Sequence, residues 1–136
     1  MSAPEAQLRE AVDSGEALQG HLQRLEEQLG YLGALSQEFG RSRLALEALK
    51  DAKPGEEVLL SLGGGNFVRA KVADPSKVIS GLGAGYSVEG SVQDALRRCD
   101  EQLEAAREAS QKLQEEAQRT LQQMQALEER IAQLQG

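Results

Sequence analysis

Two glycine-rich stretches, "GGGN" at residues 63–66 and "GLGAGY" at 81–86, are where this chain comes nearest to a chemical motif. A phosphate cradle needs such glycines, because the backbone must approach a pyrophosphate closely where a strand feeds the start of a helix. GLGAGY begins like the G-x-G-x-x-G fingerprint, but Tyr86 stands where the third glycine is needed, and a strand-like run follows. GGGN lacks the Lys-Ser/Thr pair of a phosphate loop. Both stretches read as tight turns, in which glycine supplies positive φ. His21 is the only histidine and Cys99 the only cysteine. Neither has a Cys or His neighbour at metal-ligand spacing. His21 reads as a solvated helix-surface residue, and Cys99 as a small buried hydrophobe. No catalytic residue, metal ligand or cofactor is expected, so the chain does not read as an enzyme.

The composition points elsewhere. Hydrophobic residues make up 40% of the 136, but aromatics only 3%, namely Tyr31, Phe39, Phe67 and Tyr86. Large rings usually dominate the burial in a globular core. The balance of Ala, Glu, Leu, Gln and Arg is instead that of long helices and coiled coils. The net charge is −7 with no basic run, which argues against nucleic acid as a partner. No apolar stretch approaches the roughly 20 residues needed to cross a bilayer, and "MSAPEAQLRE" lacks the regions of a signal peptide. One cysteine cannot form an internal disulfide, and a reduced, cytoplasmic setting is expected.

Three segments must position whatever function there is: a helix over 1–53, an insert over 54–90 and a helix over 91–136. In the first, Leu8, Gly15, Leu22, Leu29, Ser36 and Arg43 fall at heptad position a, and Ala11, Leu18, Leu25, Leu32, Phe39 and Leu46 at d. Leu35, Leu44 and Leu49 lie off this register and widen the stripe. Ser2 with Glu5 forms a capping-box pattern, and Pro54-Gly55 ends the helix. In the last segment Leu96, Leu103, Ser110, Ala117, Met124 and Ile131 occupy a, with Val92, Cys99, Ala106, Leu113, Thr120, Leu127 and Leu134 at d. Ser91 is its expected N-cap. The spacing predicts two helices of nearly equal length, roughly 68 Å each. They are expected to run antiparallel, with Leu46 near Leu96 and Leu8 near Leu134.

The insert switches to period two, as strands do. It reads as two short β-hairpins in a row, turning at 63–66 and 83–85. Four such strands are expected to form a sheet with two open edges, which is marginal in water unless something covers or extends it. Its apolar positions are Val58, Leu60, Leu62, Val68, Val72, Val78, Leu82, Tyr86 and Val88. Full burial contributes about 1.5–3 kcal/mol for each, on the order of 13–27 kcal/mol together, against an association cost of about 4–15 kcal/mol. These nine are the expected oligomerisation residues.

Helix, then "EEVLLSLGGGNFVRAKVADPSKVISGLGAGYSVEGSVQDAL", then helix, resembles the α-class subunit of prefoldin over the whole chain. The most specific part is 57–96, where "LGGGNFVRAKV", "GAGYSVE" and "DAL" follow the family's order and spacing. The α class carries two hairpins and the β class one. Ser61 stands where the family often has proline, and Ser87 where another bulky residue is common. The resemblance implies an α+β fold: a long antiparallel coiled coil with two β-hairpins between its helices, the hairpins forming an oligomeric β-barrel platform. It implies an α2β4 hexamer with β-type subunits and ATP-independent capture of non-native client proteins between the coiled-coil tips. Delivery to a group II chaperonin in the cytoplasm follows.

The family has no fixed motif at the tips. Read from the residues alone, the expected client-binding groups are Leu8, Val12, Met124, Leu127, Ile131 and Leu134, apolar side chains that fraying of the last turns would expose. The competing reading is a coiled-coil scaffold that bridges fixed partners within a larger complex.

Overall fold

The computed structural model describes residues 2–136. In chain order the elements are α1 (Ala3–Lys50), β1 (Glu57–Gly63), β2 (Asn66–Lys71), β3 (Lys77–Gly83), β4 (Tyr86–Ser91) and α2 (Val92–Gln135). The capping box ahead of α1 is formed. The Glu5 N–H donates to Ser2 Oγ at 3.3 Å, and the Ser2 N–H donates back to Glu5 Oε2 at 3.4 Å. The helix stops at Lys50, where Ala52 N–H tightens onto Leu49 C=O, and Gly55 takes a φ of +80° that ends any further helical path. β4 feeds α2 directly, and Ser91 Oγ accepts the Asp94 N–H at 3.1 Å. Ser91→Ala, which removes that cap, is expected to lower stability by about 1 kcal/mol, read as a drop in thermal midpoint by circular dichroism.

The chain divides into two compact units. One contains the residues up to Leu35 with Ala105–Gly136, and the other is Ser36–Glu104. The first unit is a helix pair whose strands of sequence run in opposite directions, since Gly15 lies beside Leu127 and His21 beside Glu116. Its seam follows the heptads: Ala11, Leu25, Ala106 and Thr120 are buried, and the other a and d residues are half-buried. A Cβ added at Gly15 would lie 3.5 Å from Leu127, an ordinary contact, so an alanine at this a position would fit against the leucine opposite. Thr120, buried at d, satisfies its hydroxyl on the Glu116 carbonyl at 2.9 Å. His21 corrects the solvated reading. It is half-buried, and its Nε2 lies 2.8 Å from Glu116 Oε1 across the seam.

The second unit holds both hairpins and the adjoining helix ends. Val92, Ala95, Leu96 and Cys99 are buried along α2, and Cys99 lies 3.7 Å from Ser42 Oγ. Arg43, a charge at an a position, is half-buried and reaches across to α2, donating from Nε to Asp100 at 2.7 Å. That hydrogen bond, with the attraction of the same carboxylate, raises the guanidinium pKa above its usual value. A charge at the seam is thereby kept wet and paired instead of buried.

The four strands do not make one sheet, contrary to the expectation. β1 pairs only with β2 and β3 only with β4, both antiparallel. The break lies in the β2–β3 connection. There Asp74 accepts the Ser76 N–H at 3.0 Å and the Ser76 hydroxyl at 2.5 Å, while Pro75, which has no N–H to give a ladder, is buried. The hydroxyl bond first, and the N–H second, hold the Asp74 carboxyl below the usual carboxylate range.

Candidate functional site

Each hairpin closes on a two-residue turn. Gly64 and Gly65 have φ of +60° and +81°, and Ala84 and Gly85 have +51° and +79°. Two successive positive φ values make the turn whose twist suits paired strands. Ala84 adopts the left-handed region at a cost of about 1 kcal/mol relative to glycine. GLGAGY is thus the bend between β3 and β4, with a strand on each side, and it has no helix N-terminus at which to hold a phosphate.

The hairpins repeat one another. Glu57↔Lys71 becomes Lys77↔Ser91, Leu60↔Val68 becomes Ser80↔Val88, and Gly63↔Asn66 becomes Gly83↔Tyr86, an offset of 20 residues throughout. Both carry the same register shift, between Ser61 and Gly63 and between Gly81 and Gly83. On one face of the first hairpin lie Val58, Leu60, Val68 and Ala70; the matching face of the second has Val78, Ser80, Val88 and Gly90.

Their surroundings differ. Hairpin 2 is fixed to α2, where Arg98 donates to Ser80 Oγ at 2.8 Å. Beneath it runs an open groove of about 720 Å³, lined by Val78 and Leu82 above and by Phe39, Leu46, Ala95 and Cys99 below. Every residue of β1 and β2 is exposed except half-buried Ala70.

The described residues hold no group of three His, Cys, Asp or Glu placed for a metal ion, and no helix is long and apolar enough to cross a membrane. What the chain offers is apolar surface on its hairpins. A family model described as "Prefoldin subunit" matches residues 18–136. The chain belongs to the prefoldin family.

Prefoldin is a family of chaperone subunits, and the curated relatives with which this chain compares are prefoldin α subunits. That of Methanopyrus kandleri is 45% identical over 80 residues, covering 56% of this chain and 51% of that protein. That of Methanococcus aeolicus is 32% identical over 119 residues, covering 85% of this chain and 81% of that protein. The match therefore spans about half the length of the first and most of the second. A chain from the cryo-EM structure of filamentous PFD of Methanocaldococcus jannaschii superposes with a TM-score of 0.67 at 24% identity, over 88% of this chain and 96% of that one. This likeness carries the fold: two long helices with two antiparallel hairpins between them. Two hairpins in one chain are what the α class of prefoldin implies.

Of the nine residues expected at the prefoldin subunit interface, Val58, Leu60, Leu62, Val68, Leu82, Tyr86 and Val88 are exposed in the single chain; Val72 and Val78 are half-buried. Leu59, Phe67 and Ile79, which that reading left out, are more exposed than most of them, at 67%, 59% and 76%. They lie on the opposite face of each hairpin, and a reading that assigned one apolar face per strand passed over them. Of the six expected tip residues, Leu8, Met124, Leu127, Ile131 and Leu134 are half-buried in the helix seam, and Val12 is exposed. Leu121, also exposed, was not among them.

Proposed function

We propose that this chain is the α-type subunit of an ATP-independent co-chaperone. It assembles with β-type prefoldin subunits into an α2β4 hexamer through its hairpins, and holds non-native proteins at its helix ends. Clients pass from there to a group II chaperonin in the cytoplasm. The observation that carries this reading is the apolar surface of hairpin 1, exposed along both strands with both edges unpaired. A two-stranded hairpin is marginal alone in water, and strand pairing with neighbouring subunits covers its edges and one face together. The half-buried terminal seam supplies adaptable apolar groups, Met124 among them, whose exposure by fraying needs only local opening.

The experiment is to refold the chain with a β-type prefoldin subunit and add the assembly to a denatured client. Aggregation, followed by light scattering, is expected to be suppressed without nucleotide and unchanged when ATP is added. Calorimetry is expected to show no ATP binding; micromolar affinity would overturn the ATP-independent reading.

A scaffold for a fixed partner is the second reading. It rests on Tyr31, exposed beside a groove lined by Arg24, Glu27, Gln28, Leu32 and Leu113. One tight, stoichiometric ligand in place of broad client protection would favour it.

A further inference from the structure

Leu60 of hairpin 1 becomes Ser80 of hairpin 2 under the 20-residue offset, on the face that carries Val78 and Val88. The floor beneath that face favours the opposite choice. Phe39, Leu46, Ala95 and Cys99 line the groove there, and a leucine at 80 would gain by burial against them. What the serine gains is Arg98, whose Nη2 donates to Ser80 Oγ at 2.8 Å. The guanidinium is half-buried and has no ion pair among the described residues. Glu101, which also lines the groove, pairs with Arg97 instead, at 4.0 Å. A cation drawn partly out of water usually has a carboxylate beside it. Here a neutral hydroxyl takes that place, so the bond supplies direction more than charge.

We propose that Arg98 is a positioning residue: through Ser80 it holds hairpin 2 at a set height over α2, so that this hairpin meets the β-type subunit already placed, whereas hairpin 1 is ordered by the contact itself. This rests on the reading of the hairpins as assembly elements. β4 runs straight into α2 at the Ser91 cap, which ties hairpin 2 to the helix at one point. A hairpin tied at one point pivots. Ser80 lies at the middle of β3, so the bond from Arg98 is a second point that stops the pivot, and β4 follows through the ladder. Held off the floor in this way, Val78 is half-buried and Leu82 exposed above a groove of about 720 Å³. Hairpin 1 has no such strut. Leu60 has no polar atom in its side chain, and every residue of that hairpin except Ala70 is exposed. A partner that accepts only a correctly placed hairpin binds in proportion to the fraction so placed, and Arg98 raises that fraction. The bond comes from beneath the sheet, so β3 and β4 each keep an open edge for neighbouring subunits.

The test compares the wild type with Arg98→Met, which keeps an apolar stem and loses the donors, and with Ser80→Thr, which keeps the hydroxyl. Hydrogen exchange on the chain alone, read by mass spectrometry of peptides from each hairpin, has hairpin 1 as its reference without a strut. In the wild type the amides of β3 and β4 are expected to exchange more slowly than those of β1 and β2. Arg98→Met is expected to speed the β3 and β4 amides by about tenfold, the effect of one charge-assisted bond. The amides of hairpin 1 and the helical circular dichroism are expected to stay as they were. Association with a β-type subunit, followed by stopped flow, is expected to slow by about the same tenfold as the placed fraction falls, with little change in dissociation. Ser80→Thr is expected to match the wild type in both readings. Wild-type exchange in hairpin 2 of Arg98→Met would overturn the proposal, as would a loss of affinity carried by dissociation alone. A Ser80→Thr chain that behaves like Arg98→Met would sink it too. Faster exchange with an unchanged association rate removes the positioning role and leaves the hexamer reading standing. A wild-type chain that does not join the β-type subunit overturns both.

Discussion

Val68→Asp is expected to weaken subunit assembly by more than about 100-fold while the helical circular dichroism stays that of the wild type. Val68 pairs with Leu60 on the face that also carries Val58 and Ala70, and it is 43% exposed in the single chain. Covering that face in an assembly buries the valine, a contribution of about 1.5–3 kcal/mol. Aspartate forfeits it and adds the desolvation of an unpaired carboxylate, several kcal/mol more. A total of 3 kcal/mol or above is roughly a hundredfold in affinity. The buried positions on the helices lie outside hairpin 1, so helix content is expected to survive. Sedimentation velocity with the β-type subunit is the measurement, and an intact hexamer would contradict hairpin-mediated assembly. Val78→Asp is a different experiment. Val78 is half-buried over the groove with Phe39, Leu46 and Cys99, so a charge there is expected to lower the thermal midpoint of the subunit as well as its assembly.

Deleting residues 1–13 and 124–136 is expected to abolish client protection and to spare assembly. The deletion removes about 20 Å from each helix, and with it all six expected client-binding residues: Leu8, Val12, Met124, Leu127, Ile131 and Leu134. The remaining helix pair of that unit keeps its most buried residues, Leu25, Ala106 and Thr120, together with the His21–Glu116 bond. Hairpins 1 and 2 belong to the other unit and are untouched. Truncated and full-length assemblies are mixed separately with a denatured client, and its aggregation is followed by light scattering. Equal protection would move the client site to the cavity wall or the platform. Loss of the hexamer would instead assign the terminal seam a role in folding.

Much of this was legible because local rules determine it. The Ser2–Glu5 and Ser91 caps, the a and d rows and the glycine turns depend on residues a few positions apart, and each forms where the pattern places it, whereas α1 stops at Lys50, ahead of the Pro54-Gly55 signal. The resemblance to prefoldin rests on the same local order of motifs. The apolar positions of the insert were legible one face at a time. Period two separates Val58 and Leu60 from Leu59, but it does not say that the second face is also uncovered, and so Leu59, Phe67 and Ile79 were passed over. His21 was misread because a g position is solvated or bridged according to what the opposite helix carries at that level, and Glu116 lies 95 residues away.

By itself the sequence determined the element order, the helix N-caps, the seam residues and the two turns, because capping, heptad spacing and positive φ are properties of short stretches of chain. Only the tertiary structure decided how the strands use their edges. Alternation assigns a side chain to a face, but pairing is a contest between edges, and here the β2–β3 connection holds Pro75 and the Asp74–Ser76 turn in place of a ladder. The same holds for the Arg98–Ser80 bond that fixes hairpin 2 to α2 and for the groove beneath it. Each depends on the distance between groups on different elements, and no spacing along the chain encodes that distance.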